Sequence, residues 1–303
     1  MRPFLKPLFY SLKLFIESPK NFKEEFVQDF TKDYFINKNK YKNKFIWCAG
    51  LPKSGTTLIE NIFDQLPYVR INSSPIRFYD SDKNNRLHEH DLTKNMIKYI
   101  NYKKLSFLKT HTPFSNDLLS IIDQEKTKIL VVIRDLRSML LSRYFHILNQ
   151  EDHWQHQNII KLNHHDGFIS SIEQPLYENQ GRNNALEYYH NWILSWMMQD
   201  KFKILMLRFE DYSIKPIEYI SNILKFCDID WTAISIENNL KNKRDSQNKD
   251  LKKSLFTYGK NKSTFNINKI DYYDFFKKYD LNSYFLNKIN KNHFNKICYD
   301  QSF

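Results

Sequence analysis

The chain has 303 residues, 41% of them hydrophobic and 16% aromatic, with 5 glycines and 9 prolines. That apolar content builds a sizeable core and excludes a disordered or collagen-like chain, and the length suits one large domain or two smaller ones. The net charge of +12 and pI near 9.3 point to an anionic partner such as a nucleotide, a nucleic acid or an acidic membrane; the excess is mostly lysine and comes with abundant asparagine and isoleucine, which an AT-rich coding sequence also produces.

Residues 1 to about 40 read as a helical extension. Ser18-Pro19 is a helix start, with Ser as N-cap and Pro at the first helical position. Phe22, Phe26 and Phe30 then recur every fourth residue. The resulting apolar face either packs on the domain, the expectation for a soluble protein, or lies on a membrane surface with its flanking lysines. The first sixteen residues are apolar but broken by Lys6, Pro7 and Lys13, with no small-residue cleavage site after them, which makes a poor signal peptide. No uncharged run approaches the ~20 apolar residues of a membrane span.

From residue 45 short apolar runs alternate with longer helical segments. Phe45 to Ala49, Leu105 to Leu108, Lys128 to Ile133 and Lys203 to Phe209 are strand candidates. The third, with its consecutive branched residues, has the character of a central parallel strand. Helices are expected over Thr56 to Gln65, Leu136 to Leu148, Ala185 to Gln199 and Ile217 to Phe226. This alternation predicts an α/β fold of three layers, a central parallel sheet with helices on both faces. Its ligands should sit beyond the carboxyl ends of the strands. Residues 238 to 269, rich in Asn, Lys and Ser, predict a loop or lid. Residues 271 to 299 return to helix. Cys48, Cys227 and Cys298 are far apart and form no C-x-x-C, so neither a disulfide framework nor a zinc site is expected, and a reducing, cytoplasmic setting is.

The first strand runs into Ala49-Gly50-Leu51-Pro52-Lys53-Ser54-Gly55-Thr56-Thr57-Leu58 and then a helix. Glycines allow such a loop to curl until successive N–H groups face one point, and the helix N-terminus adds its dipole and free amides. Lys53 adds a charge, and Thr56 and Thr57 add hydroxyls, so every component suits a phosphate-like anion. The spacing of Gly50 and Gly55 is that of the ATP-binding G-x-x-x-x-G-K-[ST] loop, but Thr56 stands where the lysine should be and Lys53 lies inside the loop.

Pro52-Lys53-Ser54-Gly55-Thr56-Thr57 resembles the 5′-phosphosulfate loop of sulfotransferases that use 3′-phosphoadenosine 5′-phosphosulfate (PAPS). The resemblance extends to Arg134 and Ser142, eight apart, which match the family's 3′-phosphate motif. It extends also to Lys109-Thr110-His111-Thr112-Pro113, which matches the segment carrying the family's catalytic base. Phe209-Glu210-Asp211 is similar to the late Tyr-Glu-Asp. Two departures stand out: Leu58 replaces the Trp that lies against adenine, and of the Arg-Lys-Gly lid only Gly259 and Lys260, with Phe265 further on, correspond. The resemblance implies a P-loop NTPase-like sulfotransferase domain over residues 41–303. Lys53, Ser54, Gly55, Thr56, Thr57, Leu58, Arg134 and Ser142 would bind PAPS. His111 would be the base, Lys53 would neutralise the leaving phosphate oxygen, and Lys109 would stabilise the sulfonate oxygens. No metal and no nucleic acid are expected. The acceptor would be a hydroxyl, less readily an amine, of a small molecule, lipid or carbohydrate, with residues 71 to 90 and 151 to 183 shaping its site.

Three other readings are open. A P-loop kinase is suggested by Val131-Val132-Ile133-Arg134-Asp135, a hydrophobic strand ending in a metal-binding type of acid. A nucleic-acid-binding protein is suggested by net charge alone. A zinc protein is suggested by His153, His156, His164, His165 and Asp166, in a region that reads as loop without accompanying cysteines.

Overall fold

The computed structural model describes residues 44–66, 69–72, 105–116, 122, 125–176, 184–198, 203–242, 272–289 and 293. The expected N-terminal helix, the lid positions Gly259, Lys260 and Phe265, and residues 73–90 lie outside them. Among the described residues no helix is long and apolar enough to cross a membrane.

Five parallel strands form one sheet in the order β2-β3-β1-β4-β5. They are β1 (Phe45–Gly50), β2 (Arg70–Asn72), β3 (Ser106–Thr110), β4 (Thr127–Ile133) and β5 (Ile204–Arg208). β1 lies at the centre, with β3 and β4 on either side. All six of its residues are buried, because both faces of the sheet are covered. Phe45, Trp47 and Ala49 enter one core. Ile46 and Cys48, one residue out of phase, enter the other. Ile129, Val131 and Ile133 of β4 divide from Leu130 and Val132 in the same way. An unbroken run of apolar residues is what two-sided burial requires.

The first core is closed by α2 (Leu136–Asn149), α3 (His156–Ile159), α4 (His164–Glu173), α5 (Ala185–Met197), α8 (Tyr272–Lys278) and α9 (Leu281–Lys288). The second is closed by α1 (Thr56–Asp64), α6 (Phe209–Ile214), α7 (Pro216–Phe226) and a helical stretch over 233–242. The result is the expected three-layer α/β fold.

Several boundaries differ from expectation. Strand β2 is only three residues long and carries no periodic signal. Strand β3 runs on to Thr110, so Lys109 is a strand residue. Residues 156–159 and 164–173 are helices rather than loop. Asn163 caps the second of these by accepting the Asp166 N–H at 2.9 Å. Residues 238–242 continue a helix instead of opening the loop; the rest of that loop lies outside the described residues. The C-terminal helix is two helices, parted at Asp280, which has φ +49°.

Candidate active site

Parallel registration brings the ends of β1, β3 and β4 to one edge. Ala49 lies beside Thr110, and Gly50 beside Val132. The segments that follow, 51–55, 111–113 and 134–135, therefore meet at the carboxyl edge of the sheet, where open parallel sheets bind ligands.

In the first segment, a side chain on Gly50 would collide with Thr56 and lie 3.2 Å from the Val132 carbonyl. Gly55 has φ +104°, and any β-carbon there would run into the Phe209 ring. Both positions therefore need glycine. Lys53 also has a positive φ, 70°. Its conformation is held from three sides. Ser54 N–H donates to Leu51 O at 3.1 Å, Arg134 donates to Lys53 O at 3.3 Å, and Tyr189 donates to Pro52 O at 3.1 Å.

The two helix N-termini at this edge differ. On α2, Asp135 accepts the N–H groups of Arg137 and Ser138, and its carboxylate also takes Arg137 Nε and Nη2 at 3.1 and 2.8 Å. Both side chains are fully buried, so this terminus is closed. On α1, Gly55 offers no side-chain cap and no acid occupies the first turn. Apart from Leu58 N–H, which donates to Gly55 O at 2.9 Å, its first amides have no intrahelical acceptor and suit an anion. Beside them the Ser54 hydroxyl is buried with no hydrogen-bond partner, an arrangement that calls for a ligand. Burial pulls the Lys53 pKa below its ordinary value, as expected of an ammonium awaiting an anion.

The other expected residues distribute unevenly. Thr56 is buried and Thr57 exposed. Leu58 packs partly on the second core. Arg134 lies 4.7 Å over the Phe209 ring, which itself fills the space beside Gly55. Phe209 thus props both the loop and the Arg. Ser142 is half-buried on α2, one turn beyond Ser138. Glu210 accepts the Asp135 N–H at 3.0 Å, and burial raises its pKa.

His111 is buried, and its Nδ1 bonds the Gly50 carbonyl. A carbonyl only accepts, so Nδ1 carries a hydrogen, and in the neutral ring Nε2 is the basic nitrogen. The Trp192 indole N–H donates to the His111 carbonyl at 2.8 Å, and Trp196 does the same to Thr112 at 3.3 Å. The expected helix over Ala185 to Gln199 thus holds both site loops, through partners 81 to 137 residues away that its own sequence does not announce.

The structure departs from expectation at Lys109 and removes the basis of two rival readings. Lys109 is not free to meet a sulfonate: its Nζ is 2.5 Å from Glu60 on α1, with both groups largely buried, and the Glu carboxylate neutralises it. Asp135, which resembled a metal-binding acid, is consumed by the α2 cap and by Arg137. Nor do the histidines converge. His156 Nδ1 bonds Ile147 O, His164 bonds Tyr144 and His165 bonds Asp166, each at 2.8 Å. No group of three or more metal-ligating side chains forms among the described residues.

A family model described as "Sulfotransferase domain" matches residues 43–299. No curated protein sequence matches the chain. Among solved structures, the fold is similar to mouse sulfotransferase SULT7A1 complexed with PAP, with 14% identity and a TM-score of 0.55 over 88% of this chain and 93% of that one. Lower similarities, with TM-scores of 0.40 and 0.39, are to a retinol dehydratase in complex with retinol and PAP and to a sulfotransferase from Alicyclobacillus acidocaldarius. Each is 16% identical; the first covers 69% of both chains, and the second 62% of this chain and 81% of that one.

Proposed function

Because this chain belongs to the sulfotransferase family and so performs sulfuryl transfer, we propose that its donor is PAPS and its acceptor a hydroxyl group. The observation that carries the donor assignment is the contrast between the closed N-terminus of α2 and the open one of α1 beside the unpartnered Ser54 hydroxyl. The α1 amides, Ser54 and Lys53 would take the 5′-phosphosulfate, and Arg134 and Ser142 the 3′-phosphate.

The acceptor oxygen attacks sulfur, and its proton passes to His111 Nε2. The bond from sulfur to the bridging phosphate oxygen breaks, and its electron pair leaves on PAP. Lys53 faces the charge that then develops. Lys109, neutralised by Glu60, orients α1 against β3 in this scheme and leaves the sulfonate to Lys53 and the loop amides. Transfer of this kind depends on positioning and electrostatics. A P-loop kinase would need a carboxylate free for a metal at the end of β4, and Asp135 is not free.

Calorimetric titration of the full chain with PAP and with ATP tests the donor. PAP should bind and ATP should bind far more weakly; equal affinity would sink the assignment. His111→Ala should keep PAP affinity and lose about 10²–10⁴ in turnover. Undiminished turnover would remove His111 from the mechanism.

A further inference from the structure

Strands β4 and β5 end together. Ile133 lies beside Arg208 in the parallel register, so Arg134 and Asp135 leave the sheet alongside Phe209 and Glu210, the first two residues of α6. These two neighbours hold Arg134 in different ways. The Phe209 ring lies under its guanidinium at 4.7 Å. Glu210 Oε1 accepts the Asp135 N–H at 3.0 Å, and that amide belongs to the peptide joining Arg134 to Asp135. The main chain at Arg134 is therefore fixed by an acceptor 75 residues away.

Glu210 takes nothing from the guanidinium in return. Its Oε2 is shielded from solvent and has no hydrogen-bond partner. Arg134 Nη1 donates instead to Lys53 O at 3.3 Å, one use among the five N–H donors of a guanidinium. Burial pushes the Glu210 carboxyl up, and the amides of Asp135 and of Glu210 itself and the Arg134 charge only partly offset this. Ionised or neutral, Oε1 accepts the amide, so the contact does not depend on charge. The Asp135 carboxylate cannot substitute, because it is committed to Arg137 and Ser138. Without Glu210 the Asp135 N–H would be left unpaired at a buried residue, and the peptide would have to turn to find an acceptor. Arg134 would turn with it.

We propose that Glu210 is a positioning residue for the 3′-phosphate: by accepting the Asp135 N–H it aims Arg134, and it thereby sets how strongly the site prefers an adenosine 3′,5′-bisphosphate to a 5′-monophosphate. The inference rests on the donor reading above and deepens it. The 5′ end falls to the α1 amides, Ser54 and Lys53, so loss of Glu210 should remove the contribution of the 3′-phosphate and spare the rest.

The test is the ratio of PAP to 5′-AMP affinity in the full chain, measured by calorimetry with 5′-AMP read by competition against PAP. The two ligands differ only by the 3′-phosphate. A variant that is partly unfolded weakens both alike and leaves their ratio unchanged. Glu210→Met, which fills the space without an acceptor, should lower the ratio about tenfold, and Glu210→Ala, measured beside it, should do the same. Glu210→Gln, whose amide oxygen accepts the same N–H, should keep the ratio within about twofold. Arg134→Met should lower it at least as far as Glu210→Met, and adding Glu210→Met to Arg134→Met should bring no further loss, the non-additivity of two residues acting through one contact. An unchanged ratio in Glu210→Met and Glu210→Ala overturns the inference. So does a loss in Glu210→Gln equal to that in Glu210→Met, which would make charge the cause, and so do additive losses. A ratio untouched in Arg134→Met overturns the inference together with the assignment of Arg134 to the 3′-phosphate. Absence of PAP binding to the unaltered chain overturns the donor reading itself.

Discussion

Lys53 combines a left-handed backbone with a partly buried ammonium. The first is a strain of about 1 kcal/mol or more for a residue with a β-carbon, borne because Arg134 holds its carbonyl and Tyr189 the one before it. The second has a direct consequence for binding. Burial lowers the Lys53 pKa in the free protein, and the phosphates of PAP would raise it again. A lysine whose pKa rises on binding takes up a proton, so PAP affinity should fall as pH rises through the lowered value. Calorimetry across the alkaline range in two buffers of different ionisation enthalpy reads this as a buffer-dependent heat, which Lys53→Met should abolish. The same buffer-independent heat in both proteins would show that Lys53 does not meet the nucleotide. The glycines, Lys53 and the threonines were legible in the sequence because the loop's chemistry is local, packed into ten residues. The pairing of Lys109 with Glu60 was not, since nothing near either residue announces a partner 49 positions away. Asp135 misled for a related reason: an acid at a strand end looks the same whether it holds a metal or caps the next helix.

Helix α5 shows what a single element contributes to a site it does not enter. Tyr189, Trp192 and Trp196 lie at helical spacing on its buried face. Each donates to a main-chain carbonyl of the phosphate loop or of the His111 segment. The apolar periodicity predicted the helix and its buried face, but periodicity says nothing about where an indole N–H ends. The same holds for α4, whose His-rich start concealed a capped helix. The contacts of α5 divide by loop, and the consequences of breaking them should divide likewise. Trp192→Phe frees the carbonyl of His111 and should lower kcat about tenfold through misorientation of the base, with PAP affinity unchanged. Tyr189→Phe loosens Pro52 and should weaken PAP binding by a few-fold, from the loss of one hydrogen bond. Steady-state kinetics with PAP calorimetry separates the two; parallel losses in both variants would mean that α5 acts only through global stability.

For the molecule as a whole, β1 is the common boundary of both cores. Trp47 is buried in one and Cys48 in the other, each fully, and the two are adjacent. β4 is divided in the same manner. This is why the sheet was so readable: β1, covered on both sides, carries no polar residue, and its uninterrupted apolar run survives in the sequence, whereas β2, three residues at the edge, leaves no such trace. It also follows that neither core can open without stripping one face from β1. Unfolding should therefore be one transition. The two cores carry separate reporters. Trp47, Trp192 and Trp196 report the first. The buried thiols of Cys48 and Cys227, whose pKa values burial pushes up, report the second. In a Cys298→Ser, Trp231→Phe background, which removes a tryptophan that packs on the second core, tryptophan emission and reactivity of the two remaining thiols should change at the same denaturant midpoint. PAP at about one hundred times its Kd should move both together by about 2.7 kcal/mol. Thiols that become reactive while the tryptophans stay buried would show that the α1 and α7 layer detaches by itself, and the phosphate loop would then be anchored from the α5 side alone.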